Sequence, residues 1–192
     1  MKTKRLAAML AIWGASLCAA QDASTQKATV TVCMKPDQQV LMGVRPMAST
    51  MFARIGVRID WHEADSCPVG VGAIQVRLSH DSRSARGSNS EALAFARPYA
   101  GTIVVFLDRV QELNRNGVRS VMAHVLVHEI THVLERIDRH SATGIMKAHW
   151  DEKDYFEMRR KPLPFCQEDV AFIYAGLQVP RPVVTGAVIA RQ

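Results

Sequence analysis

The sequence predicts an α+β domain, a small twisted mixed sheet packed on one long central helix with further helices toward the C-terminus. Three observations carry this. Short β-branched or alternating runs crowd the first 107 residues. From Val118 to about Arg136 the chain is helical and apolar almost all round, as a buried central helix must be. Two more helical patterns, at residues 151–160 and 167–177, follow it.

Before any of these, Lys2, Lys4 and Arg5 precede an apolar run over residues 6–17, and small residues follow as far as Ala20. That is the layout of a secretory signal peptide cut near Ala20, which makes the mature chain secreted or periplasmic. The run is too short to span a bilayer, so stable membrane insertion is not expected. Cys18 raises a lipid anchor, but the bulky Leu17 before it argues against one. The domain then covers residues 21–178, with 179–192 a flexible tail and no internal repeat. Removing residues 1–20 from 192 leaves 172, enough for one domain with a real core.

The same cut removes three basic residues, so the formal net charge falls from +6 to +3, 21 basic against 18 acidic side chains. Arg54, Arg58, Arg77 and Arg119 are scattered, with no basic run interleaved with aromatics, which excludes nucleic-acid binding as a class. Three cysteines remain. In an oxidising compartment Cys33 and Cys67 can pair and leave Cys166 free; the alternative is three buried thiols acting as small hydrophobes.

Along the chain, residues 28–34, within KATVTVCM, read as a first strand. Val40, Leu41, Val44, Ala48, Met51, Phe52 and Ile55 then recur at helical spacing, with Pro46 expected to kink or restart that helix and Gly56 to end it. Val57, Ile59 and Trp61 alternate as a second strand, and Ile74, Val76 and Leu78 as a third within residues 73–79. Residues 79–90 have no apolar periodicity, carry turn formers throughout and read as a surface loop on the rim of a site. ALAFA at 92–96 and TIVVFL at 102–107 read as an irregular edge strand and a central one. The later helix presents Val170, Ile173, Tyr174 and Leu177.

The long helix contains HEITH. His128 and His132 lie four residues apart, on one face and one turn above each other, so both imidazoles can reach one ion. Glu129 stands beside them, placed to take a proton from water on the metal without being a ligand. Burying these polar groups unpaired would cost on the order of 1 to 3 kcal/mol each, and a metal removes that cost. The helix must end near Arg136 and the chain turn back, which can bring His140 to a third coordination position. Three histidines leave a fourth place open for water, the pattern of a catalytic zinc. Asp138 is the rival third ligand. His124, one turn before His128, is about 12 Å from His132 along the axis and reads as a core or supporting histidine. His62, His80 and His149 read as solvated, and Tyr155 as a surface tyrosine rather than an oxyanion donor.

Here the chain resembles the metzincin clan of zinc peptidases, whose HExxHxxGxxH or D motif is followed by a turn with a methionine beneath the metal. Met146 in GIM resembles that turn, His140-Ser141 the His-Ser pair of the matrixin branch, and ALAFARPY the strand along which metzincins lay an extended substrate. HEITHVLERIDRHSATGIMKAHW is similar to a set of small exported bacterial proteins with the longer spacing HExxH, seven residues, HS and G-[IV]-M-[KR]-A-x-W, with the likeness running from about Thr29 to Leu177. Glu135 and Asp138 fall on the glycine and third-ligand places of the standard spacing; His140 fits better, because Ser141, Met146 and Trp150 then fall in step. Arg136 stands where a glycine would end the helix most easily, and a left-handed conformation there costs about 1 kcal/mol. The resemblance implies a metzincin-like fold and a secreted zinc metalloendopeptidase that hydrolyses a peptide or protein substrate, with zinc on His128, His132 and His140 and Glu129 as general base. Two other readings stay open: a zinc-containing, catalytically inactive binding or scaffold module, and a metal-free adhesion or inhibitory domain. Oligomeric state is unknown.

Overall fold

The computed structural model describes residues 28–35, 42–68, 72–82, 91–113 and 117–178. The leader at 1–20, the tail at 179–192, Val40, Leu41 and most of the 79–90 loop lie outside the described residues.

Five strands form one sheet: β1 (Ala28–Met34), β2 (Val57–His62), β3 (Ile74–Ser79), β4 (Ala94–Arg97) and β5 (Thr102–Phe106), in the order β2-β1-β3-β5-β4. β1 pairs in parallel with β2 and β3, and β3 with β5, while β4 runs antiparallel along β5 as an edge strand. The sheet is therefore mixed, as the alternating runs predict. Its interior strands bury alternate residues, Val30 and Val32, Ile74 and Val76, Ile103 and Val105, on the face packed into the core.

α1 (Val44–Ala53) joins β1 to β2. The expectation that Pro46 kinks or restarts this helix is wrong. The helix begins only at Val44, after Gly43 at φ 86, which puts Pro46 in the first turn, where the ring has no carbonyl of residue i−4 to strike and no intrahelical donor is lost. Gly56, at φ 75, provides the left-handed turn into β2. The sequence reading also misses α2 (Leu107–Leu113), into which β5 runs without a break. Only Leu107 and Val110 of it are buried, too short an apolar stripe to separate from the strand before it.

α3 (Val118–Glu135) is the core helix, with every residue from Ser120 to Glu135 buried. α1, α5 (Gln167–Gln178) and β4 pack around it, and α4 (Glu152–Met158) touches it near its start. Arg136 ends the helix at φ 60, donating its N–H to His132 O at 2.9 Å, and is the one non-glycine residue with positive φ among those described. α5 comes so close to that end that a Cβ on Gly176 would overlap the carbonyl of Leu134. α4 starts on a reciprocal capping box between Asp151 and Asp154.

Cys33 and Cys67 form a disulfide with Cα atoms 5.7 Å apart, and Cys166 is a free thiol. The bridge closes a loop of 34 residues. In the chain-entropy account such a loop is worth about 3 to 4 kcal/mol, equivalent to a melting shift on the order of 10 °C for a domain of this size. Cys33→Ser/Cys67→Ser is expected to melt lower by that amount in oxidising buffer, and reductant is expected to lower the unaltered protein to the same point. Calorimetry with and without dithiothreitol checks both.

Candidate metal centre

α3 and the segment that returns from it build the site. His128 and His132 project from successive turns, and the left-handed Arg136 swings residues 137–140 back over them. The ring centroids of His128, His132 and His140 lie 4.8, 5.3 and 5.0 Å apart, and one ring nitrogen from each falls within 4.8 Å of the others. His128 and His132 are buried and His140 is exposed. Asp138 belongs to no such group among the described residues, although it borders the same cleft and its charge reaches Glu129, His132 and His140.

The hydrogen bonds settle which nitrogens face inward. His128 Nδ1 lies 2.9 Å from Ile145 O and His132 Nδ1 lies 3.3 Å from Ile137 O. A carbonyl only accepts, so both Nδ1 atoms carry the proton and both Nε2 atoms present lone pairs. Those two lone pairs meet at 3.1 Å. A proton shared between them would require an imidazolium, and burial pushes the His128 pKa down to about 3 and also lowers that of His132. Two facing acceptors repel unless a cation lies between them. Tetrahedral zinc with nitrogens at about 2.0 to 2.1 Å sets neighbouring nitrogens about 3.3 Å apart, so the residues fit the ion.

Glu129 is buried beside the pair, on the wall of an open cleft that β4, the return segment and residues 147–150 complete. Burial, with the charge of Asp138 adding to it, pushes its carboxyl up to about 8, and a hydrogen bond from the backbone of Ala96 pulls the other way. The β4 register explains that bond. Phe106 donates to Leu93 O at 2.8 Å, which sets alternate residues of β4 facing β5 and turns the N–H and C=O of Ala94 and Ala96 outward.

Residues 141–147 hold the site from below. Ser141 N–H donates to Met146 O at 2.8 Å, Ile145 N–H to Pro164 O at 2.9 Å, and Ile145 O accepts from His128 Nδ1–H. Ile145 and Met146 are wholly buried. Gly144, at φ 78, has the Pro164 carbonyl where a Cβ would stand, so no other residue fits this turn. Trp150 sets its ring edge-on to His128, with centroids 5.5 Å apart. Tyr155 lines the cleft and is half-buried. His149 lies near enough to His140 to lower its pKa, after burial, whereas His62 pairs with Asp60 on the far side of the sheet.

His124 is a structural histidine. Its Nδ1 donates to Ser120 O at 2.6 Å and its Nε2 accepts the Leu163 N–H at 3.0 Å, which fixes one neutral tautomer. Burial holds its pKa down to about 4, against about 6.5 unfolded. The unfolded chain thus binds the extra proton between those values, and stability falls as pH drops through that window. The loss reaches about 3 kcal/mol at its acid end. Urea titrations at pH 7.5 and 5 are expected to show a smaller pH dependence for His124→Gln than for the unaltered chain; equal dependence would show that this histidine is not the group involved.

Sequence reasoning misses two features here. One is the Ala96 N–H, a backbone group that no residue type advertises. The other is a part-buried cluster in which the wholly buried Asp169 joins Arg139 and Ser141 across 28 to 30 residues of chain.

The sequence matches no protein-family model and no curated protein. The fold is similar to that of archaemetzincin from Methanopyrus kandleri, with a TM-score of 0.53 and 14% identity over 84% of this chain and 99% of that one. It is also similar to a zinc-dependent peptidase from Methanocorpusculum labreanum, with a TM-score of 0.50 and 13% identity over 75% of this chain and 99% of that one. At such identities the likeness is one of fold, and by fold this chain is similar to the archaemetzincins.

Proposed function

We propose that this chain is a secreted, metzincin-type zinc endopeptidase in which His128, His132 and His140 hold the metal and Glu129 is the general base. The observation that carries the reading is the pair of unprotonated Nε2 atoms facing each other at 3.1 Å, with a third imidazole over them and a buried carboxylate alongside. Zinc bound there supplies a Lewis acid that polarises a carbonyl, lowers the pKa of water toward neutrality and favours the ionised form of Glu129.

The residues do the rest. Glu129 takes the proton of the attacking water and later gives it to the leaving amine, and its raised affinity for a proton, about 8 before any cation is added, suits it to both steps. The Ala96 N–H faces the carboxylate and favours its ionised form. The Ile145 and Ile137 carbonyls hold His128 and His132 in the one tautomer that ligates. The outward groups of β4 accept an extended peptide by strand addition, which confers reach more than sequence choice. Met146, wholly buried and next to the Ile145 whose carbonyl holds His128, would serve as the methionine turn that the sequence motif implies. The leader at 1–20 and the Cys33–Cys67 bridge both suit an exported protein. Among the described residues no helix is long and apolar enough to cross a membrane.

Elemental analysis of the purified protein, with a fluorogenic peptide-library assay with and without chelator, tests the proposal. One zinc per chain and chelator-sensitive cleavage are expected. No stoichiometric zinc, or zinc without cleavage, would overturn it in favour of an adhesion domain or an inactive zinc module respectively.

A further inference from the structure

The three imidazoles are not held alike. His128 and His132 are fixed twice, by the helix that carries them and by a carbonyl on Nδ1. His140 lies on an irregular segment, its side chain is exposed, and among the described residues nothing hydrogen-bonds its ring. A ligand without such a partner must take its position from its backbone, and here the two residues on either side of it are tied to one buried carboxylate.

Asp169, in the first turn of α5, has no exposed surface. Its Oδ1 accepts from Arg139 Nη1 at 2.8 Å and from Ser141 Oγ at 2.5 Å. Its Oδ2 accepts the Cys166 N–H at 2.9 Å, which fixes the carboxylate at the start of its own helix. Arg139 Nη2 also reaches Ser141 Oγ at 3.1 Å, closing a ring of three side chains under His140. Glu168 at 3.0 Å and Glu135 at 3.5 Å add charge to Arg139, whose guanidinium lies 4.7 Å from the Phe172 ring centroid. An aspartate taken wholly out of water and paired with a partly buried arginine is costly unless the geometry it imposes has a use.

We propose that Asp169 is the positioning residue of the third imidazole: it clamps Arg139 and Ser141 and so holds His140 over His128 and His132. This rests on the reading of His140 as a metal ligand. Asp169 does not touch the metal or the substrate; it acts through the backbone between the two residues it binds. An exposed, otherwise untethered imidazole then pays little ordering cost when it ligates.

The test is a double-mutant cycle read by metal binding. Zinc affinity is measured by chelator competition, Co2+ coordination by visible absorption, and the melting point on metal-free protein, for the unaltered chain, Asp169→Asn, His140→Ala and the double variant. An amide offers one acceptor where the carboxylate offers two and carries no charge for Arg139, so Asp169→Asn must give up either the Oδ1 bonds to Arg139 and Ser141 or the Oδ2 bond from Cys166 that fixes the side chain. Its zinc affinity is expected to fall roughly 10- to 100-fold with a changed Co2+ spectrum, and the same substitution is expected to change nothing further in the His140→Ala background. An equal loss in both backgrounds, or a lower melting point with unchanged zinc affinity, overturns the proposal. His140→Ala binding zinc as tightly as the unaltered chain would instead sink the ligand reading. Should Asp169→Asn fail to fold, Ser141→Ala removes one arm of the clamp and is expected to shift affinity several-fold in the same direction, again only while His140 is present.

Discussion

Glu129→Gln is expected to keep one zinc per chain and to lose hydrolysis by about 10²- to 10⁴-fold, the usual worth of a general base. The amide has the shape of the carboxylate, so its oxygen can still accept the Ala96 N–H and the three imidazoles stay where they are. What it cannot do is take a proton. The effect should therefore fall on kcat rather than KM, since nothing that binds peptide has moved. Stopped assays on a fluorogenic peptide, paired with zinc stoichiometry, separate the two. A variant that cleaves at the unaltered rate would remove Glu129 from the mechanism; one that loses zinc would show that the carboxylate supports the metal rather than the water.

Removing the metal is expected to have the second large effect, and on two observables at once. Chelation should abolish activity and lower the melting temperature, because it returns two buried lone pairs to repulsion at 3.1 Å. Zinc at a hundredfold excess over its dissociation constant should restore about 2.7 kcal/mol by mass action alone. Acid should mimic the chelator. The ligands bind as neutral imidazoles, so protons compete with the ion and zinc affinity must fall with pH. His132→Ala is expected to be inactive and to show no zinc-dependent melting shift, the check that the stabilisation comes from this site. Differential scanning fluorimetry across zinc concentrations reads all of this.

Much of this was legible because its signals are local. The α3 pattern is dense: apolar residues flank HEITH on both sides, and a helix that apolar can only be central. The alternation in β1, β2 and β3 survives because each strand offers a periodic set of buried side chains. The Cys33–Cys67 pairing rested on the oxidising compartment that the leader implies, with three buried thiols as the alternative, and the bridge forms. What stayed hidden was non-local or made of backbone. Pro46 was misjudged because the helix start depends on Gly43, where no side-chain cap marks the boundary. α2 was absorbed into β5 because seven residues give too few turns to show a period. Asp169 looked like an ordinary acidic residue in a first helical turn, since nothing in the chain near it points to Arg139 and Ser141.

The bond from Ala96 to Glu129 has a bearing on solubility. β4 is a border strand, and its outward amides offer a template on which another chain can aggregate. The carboxylate faces one rung of that template through the Ala96 N–H, so the side chain assigned to proton transfer is expected to hinder self-association there. Glu129→Ala, unlike the glutamine variant, would leave that rung vacant. Light scattering at high protein concentration should then find the alanine protein more prone to assemble edge to edge, independently of any metal.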